Sequence, residues 1–151
     1  MKNLDDIACW QRIDARLTTS GRLAPADPAR LADLGVRHVI NLALADSPGA
    51  LADEPALMAA AGLAYTHVPV PFDAPDEEHF AIFAQALADT GDEPVHVHCI
   101  MNWRVSAFVC RWNRSRGMDA QEALALMRVQ WDPATSTHKD AAAWQRFVNR
   151  S

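Results

Sequence analysis

The run from Val95 to Ser106 constrains the fold of this chain more than any other. Val95-His96-Val97-His98 is a short β-branched segment set off by Gly91 and Pro94, the pattern of a buried strand. Residues 99–104 leave it in a tight loop. From about Val105 the apolar residues Val105, Phe108, Val109 and Trp112 recur at helical spacing until Gly117 closes the pattern. A cysteine between a strand end and a helix start lies where loop N–H groups and the helix dipole favour an anion. That setting favours the thiolate and makes Cys99 a nucleophile. Arg104 adds a planar fork that can hold two oxygens of an oxyanion. Cys110, on the following helix, reads instead as an inert core thiol.

The rest of the chain builds a frame around that segment. Residues 1–14 form a lead-in whose Ile7 and Trp10 are expected to pack on the core, and Leu17–Leu23 reads as a short strand and turn. A helix is expected from Pro28, with Asp27 as N-cap, Leu31 and Leu34 on its apolar face, and Gly35 at its end. The strand Val39–Leu42 follows. Then come a helix over 54–61 closed by Gly62, a strand over 65–70, a helix over 76–88, and the strand 95–98. Asp119 with Glu122 suggests a capping box for one further helix, and a last one is expected over 137–149. Alternating strands and helices with short connections predict one α/β domain over residues 1–151, a mainly parallel central sheet flanked by helices.

The run His98-Cys99 … Arg104 … Ser106 resembles the phosphate-binding loop of the cysteine-dependent protein tyrosine and dual-specificity phosphatases, written His-Cys, five residues, Arg, then Ser or Thr. Here four residues separate Cys99 from Arg104. With Cys99 and Ser106 held in the family frame, Asn102 stands where glycine is usual and Val105 where the arginine falls. Asn tolerates a left-handed backbone. Gly35–Leu42 is similar to the glycine, aliphatic strand, Asn-Leu opening of dual-specificity-like folds. Gly62–Asp73 is similar to their strand leading into the general-acid loop. The four-residue interval also resembles the loop of rhodanese-type sulfurtransferases, and that of small bacterial phosphatase-like domains found beside sulfur-metabolising hydrolases.

The resemblance implies roles for this chain's residues. Cys99 would attack the phosphorus, and the loop Ile100, Met101, Asn102, Trp103, Arg104 and Val105 would wrap the phosphoryl oxygens. His98 would orient the loop and keep the thiol ionised, and Ser106 would donate to the Cys99 sulfur. Strand C-terminal ends collect on one edge of an α/β sheet, which makes Asp73 the expected proton donor and Asp76, better suited to cap a helix, the reserve. The apolar loop residues suit an aryl phosphate such as phosphotyrosine, with Trp103 able to stack on the ring. Lipid-phosphate members of the family usually carry extra basic loop residues, and this loop has no lysine.

A net charge of −5 and a pI near 5.6 argue against a nucleic-acid or anionic-membrane role. The sequence has no membrane-length apolar run and no signal-peptide core at its start. Three cysteines suit a reducing cytoplasm rather than a disulfide framework. His96 and His98 share a strand face, but no third ligand at metal spacing accompanies them, so His96 reads as packed and no metal or cofactor is expected. Arg111, Arg114 and Arg116 are expected on a solvated helix face. The leading expectation is a cytoplasmic phosphatase acting on a phosphorylated protein or small aryl phosphate. The alternatives are a sulfurtransferase carrying a Cys99 persulfide and a non-catalytic phosphate-binding domain.

Overall fold

The computed structural model describes residues 3–150. Its strands are β1 (Gln11–Arg12), β2 (Leu17–Ser20), β3 (His38–Asn41), β4 (Ala64–His67) and β5 (Val95–His98). Its helices are α1 (Asp27–Leu34), α2 (Glu54–Ala60), α3 (Glu77–Asp89), α4 (Trp103–Ser115), α5 (Ala120–Arg128) and α6 (Ala141–Asn149). The five strands form one sheet in the order β1-β2-β5-β3-β4. β1 is antiparallel to β2, and every other pairing is parallel. β5 lies between β2 and β3, with Ser20 and Asn41 both level with His98. Three parallel strands therefore end at one edge, where Cys99 leaves the sheet.

Alternation along β5 sorts its side chains onto two faces. Val95 and Val97 enter a core built with Phe83, Phe108, Trp144 and Phe147 from α3, α4 and α6. The opposite face carries His96 and His98. Beyond them lies a second core, in which Leu31 and Met58 of α1 and α2 pack with Leu4 and Ile7 of the N-terminal segment. His96 is completely buried, with Nδ1 2.8 Å from Thr18 Oγ1 and Nε2 2.8 Å from Ser20 Oγ, and Trp10 stacks on its ring. Burial, and next the charge of His98, push its pKa well below the usual histidine value, so it is a neutral packing residue. Among the described residues no group of three histidines, cysteines or carboxylates is placed to hold a metal ion. None of their helices is long and apolar enough to cross a membrane.

Several local expectations change. The N-terminal lead-in contributes β1. Asp27 lies inside α1 rather than capping it: Ala26 is the N-cap, while Asp27 accepts from Ala24 N and pairs with Arg30. The strand after Gly62 ends at His67. Val68 N and Val70 N still bond to Asn41 O and Leu42 O, but the chain has left regular pairing ahead of Pro71. α6 begins at Ala141, after a loop. Asp119 caps α5 by accepting from the N–H groups of Gln121 and Glu122. Arg111 is not solvated. It is buried, pairs with both oxygens of Glu77, and lies over the rings of Phe80 and Phe147. Its planar cation is covered by aromatic faces that a lysine would use less well. Arg114 is bonded to the carbonyls of Val148 and Arg150, so of the three arginines only Arg116 remains exposed.

Candidate active site

Cys99 follows β5 directly and is buried, its N–H bonded to Ser20 O. Residues 100–102 turn the chain. Asn102 adopts a left-handed conformation (φ 64°) and is the N-cap of α4, which starts at Trp103, two residues earlier than its apolar pattern suggests. Asn102 Nδ2 donates to Cys9 O at 2.9 Å and to Thr19 Oγ1 at 3.0 Å, which ties the loop to the N-terminal segment and β2. Its buried Oδ1 has no hydrogen-bond partner. Ser106 N is bonded to Asn102 O. The N–H groups of the preceding helical residues lie ahead of the i→i−4 ladder and have no carbonyl partner within the helix.

Arg104, on the first turn of α4, is buried and donates from Nη1 to Val70 O at 3.0 Å. A cleft of about 190 Å³ is lined by Phe72, Cys99, Met101, Trp103, Arg104 and His138. The expected nucleophile and the expected cation thus line one cavity with two of the apolar loop residues. Phe72 anchors the aromatic wall. Its ring meets Trp103, Trp131 and Trp144, and His138 edge-on at 4.9 Å, while the Arg104 guanidinium carbon is 6.0 Å from its centre. One face of Trp103 is already stacked on Trp131 at 4.6 Å.

The other residues singled out in the sequence lie around this cleft. Ile100 packs on the main core, and its carbonyl accepts from Arg22 N. Val105 is wholly buried in the core. Ser106 donates to Trp103 O at 3.1 Å, within its own helix. Asp73 is exposed, in a turn closed by Ala74 N to Pro71 O, one residue beyond a cleft wall but not itself lining the cleft. Asp76 caps α3, accepting from His79 N. His98 is buried, with Nδ1 3.1 Å from Cys99 O and Nε2 2.9 Å from a carboxylate oxygen of Glu54.

Three residues at the site carry no local sequence signal. Glu54 opens α2, 44 positions before His98. Burial works to raise its pKa, yet the hydrogen bond and charge of His98, helped by Tyr65 and His67, hold the carboxyl below its ordinary value. His138 lies in the loop before α6. Asp140 N donates to its Nδ1 at 3.0 Å, so Nδ1 is the acceptor nitrogen and the ring hydrogen sits on Nε2. Cys9 has a left-handed backbone (φ 56°) beside the loop. Burial, with the neighbouring Cys99 adding to it, pushes its thiol pKa up.

A mainly parallel sheet with a buried cysteine at the end of its central strand and an arginine on the first turn of the next helix is the architecture of the dual-specificity-like phosphatase fold. The comparisons with known proteins agree. The chain belongs to the family described as DSP-PTPase phosphatase fused to NAD+ kinase, whose model matches residues 3–145. No curated protein matches the sequence. Among solved structures, a DUF442 protein from Shewanella putrefaciens CN-32 is 28% identical, with a TM-score of 0.83, covering 97% of this chain and 94% of its own. The fold is also that of P. aeruginosa TpbA, solved in complex with pTyr (20% identity, TM-score 0.68, 97% and 91% covered). It is shared by the Siw14 catalytic core (11% identity, TM-score 0.74, 96% and 86% covered). The chain is therefore a member of the cysteine-dependent, dual-specificity-like phosphatase superfamily.

Proposed function

We propose that the protein hydrolyses aryl phosphomonoesters, phosphotyrosine among them, through a covalent phosphocysteine. The observation that carries this reading is the cleft, in which Cys99 and Arg104 stand together beneath walls of Phe72, Trp103 and Met101. One guanidinium and a set of N–H groups match a single phosphoryl group, and the apolar walls match an aromatic leaving group. The Cys99 thiolate attacks phosphorus as the P–O bond to the leaving group breaks, and Asp73 supplies a proton to the departing oxygen. Water then attacks the phosphocysteine, giving a proton back to the Asp73 carboxylate as the P–S bond breaks, and inorganic phosphate leaves with the Cys99 thiolate restored. Arg104 and the loop N–H groups balance charge on the equatorial oxygens in both steps.

The test is a steady-state assay with an aryl phosphate, run beside one with thiosulfate and cyanide, because the Cys99–Arg104 interval is shared with rhodanese-type loops. Metal-independent hydrolysis blocked by vanadate is expected. Sulfur transfer to cyanide without phosphatase activity would replace this reading by the persulfide one. Phosphate binding without either activity would make the protein a binding domain.

A further inference from the structure

Behind the nucleophile, on the sheet face opposite the cleft, lies a buried polar chain whose proton directions are almost fully determined. It starts at Ala43 N, which donates to Asn41 Oδ1 at 2.9 Å. The amide orientation this sets makes Asn41 Nδ2 the donor to Tyr65 Oη at 3.1 Å. A hydroxyl that receives one N–H has its own proton to give onward, and the Tyr65 hydroxyl lies beside Glu54, near enough to lower the carboxyl's pKa. Glu54 then meets His98 Nε2 at 2.9 Å, and His98 Nδ1 meets Cys99 O at 3.1 Å. The last contact admits one arrangement only, because a carbonyl oxygen has no proton to give. Nδ1 of His98 therefore carries a hydrogen.

The remaining question is the proton between Glu54 and Nε2. A carboxyl that meets His98 Nε2 at 2.9 Å, with the Tyr65 hydroxyl beside it, is the stronger acceptor when ionised, and its pKa is held down despite burial. With Glu54 as carboxylate, the 2.9 Å contact calls for a hydrogen on Nε2 as well. The alternative charge sources around the pair are few. His96 is neutral, the Cys9 thiol is raised by burial, and His67, whose Nε2 donates to Ala43 O, acts in the same direction as His98 on the Glu54 carboxyl. Arg22 faces Cys9, and Arg104 lies on the cleft side.

We propose that Glu54 is a positioning residue for the nucleophile: it keeps His98 doubly protonated, so that a fixed cation grips the Cys99 carbonyl and favours the thiolate at the strand end. Neither residue enters the cleft, so the effect acts wholly through Cys99. The inference rests on reading Cys99 as the nucleophile, but its test needs no turnover.

Glu54→Gln removes the charge while keeping shape. The introduced amide can donate to Nε2 of a neutral His98, whose Nδ1–H still holds Cys99 O. In the unsubstituted protein, nitrogen NMR of the labelled His98 ring at neutral pH is expected to show both nitrogens protonated, and in Glu54→Gln only one. The pH midpoint for alkylation of the Cys99 peptide by iodoacetamide, followed by mass spectrometry, is expected to rise by about one unit in Glu54→Gln. Tyr65→Phe, which removes the hydroxyl that helps hold the Glu54 carboxyl down, should move it less in the same direction. A neutral His98 in the unsubstituted protein, or a Glu54→Gln variant that folds with an unchanged alkylation midpoint, overturns the inference. Failure of the function itself would look different: a Cys99→Ser protein that still hydrolyses aryl phosphate.

Discussion

Arg104 donates from Nη1 to the carbonyl oxygen of Val70 at 3.0 Å, so the cation of the cleft is held by the segment that carries Phe72 and Asp73. The short interval after Cys99 is resolved by the helix. α4 begins at Trp103, which places Arg104 on its first turn, and the side chain lies in the cleft with Cys99. One Nη1–H is committed to Val70 O, and the guanidinium plane keeps further donors in fixed relation to it.

Arg104→Lys is therefore expected to fail as a replacement, since an ammonium on a flexible stem cannot bond Val70 and fork two phosphate oxygens together. Phosphate affinity by calorimetry should fall, and kcat should drop by about 10²-fold or more, the usual cost of losing an oxyanion donor. Arg104→Ala should be at least as damaging. Near-normal values in both variants would remove Arg104 from the site.

Cys99→Ser should abolish turnover yet keep the fold and the affinity for phosphate, because a hydroxyl is not ionised near neutral pH. In the unsubstituted protein peroxide should inactivate and bound phosphate should protect. Cys110 is buried, with its pKa raised by that burial, and should remain unmodified under the same treatment in peptide mass spectra.

Asp73 stands one residue beyond the cleft wall, exposed and tethered through Phe72, whose carbonyl accepts from Trp144 Nε1 at 2.6 Å. If it protonates the leaving oxygen, Asp73→Asn should slow alkyl phosphates by roughly 10²–10⁴-fold and phosphates with good leaving groups far less. Equal losses on both would give Asp73 a structural role.

Cys99, Arg104 and the strand–loop–helix that carries them are legible because they are contiguous, and local chemistry marks each one. Asn102 could be read as a residue tolerant of the left-handed backbone it adopts. What could not be read comes from elsewhere in the chain. Glu54 looks like an ordinary charged residue at a helix start, and only the packing of α2 against the sheet puts it on His98. His138 sits in a loop whose course depends on where α6 docks. The burial of Arg111 is hidden for a related reason: helical spacing places it on a face, but does not say what α3 and α6 lay across that face.

That buried arginine makes a prediction of its own. Its partnership holds the Glu77 carboxyl below the usual value of 4.5. A carboxyl depressed in the folded state stabilises above its unfolded pKa and loses that contribution as pH falls through the folded one. Glu77→Gln should thus lower the melting temperature at pH 7 and converge with the unsubstituted protein in strong acid. Glu77 is half exposed, which keeps the difference small. A gap that persists unchanged at low pH would assign the effect to packing on Phe80 and Phe147 instead.

The loop's position against the sheet depends on Gly21. A Cβ there would lie 2.3 Å from Ile100 O and 3.3 Å from Ala8 O, backbone on both sides. The same peptides are stitched together by Gly21 N to Ala8 O at 2.7 Å and Arg22 N to Ile100 O at 2.9 Å. Gly21→Ala must therefore push the Ile100 carbonyl away and carry the loop after Cys99 with it. Overpacking of this kind costs about 1–3 kcal/mol. The functional loss should exceed that figure, because the displaced peptide directly follows Cys99. Leu31→Ala, in the core beneath α1, serves as the control: it is destabilised by about 2–5 kcal/mol through a cavity remote from the loop. Assayed well below its melting temperature, Leu31→Ala should keep phosphate affinity and turnover, whereas Gly21→Ala should lose both. Equal retention of activity in the two variants would mean that the loop accommodates the methyl group without leaving its catalytic shape.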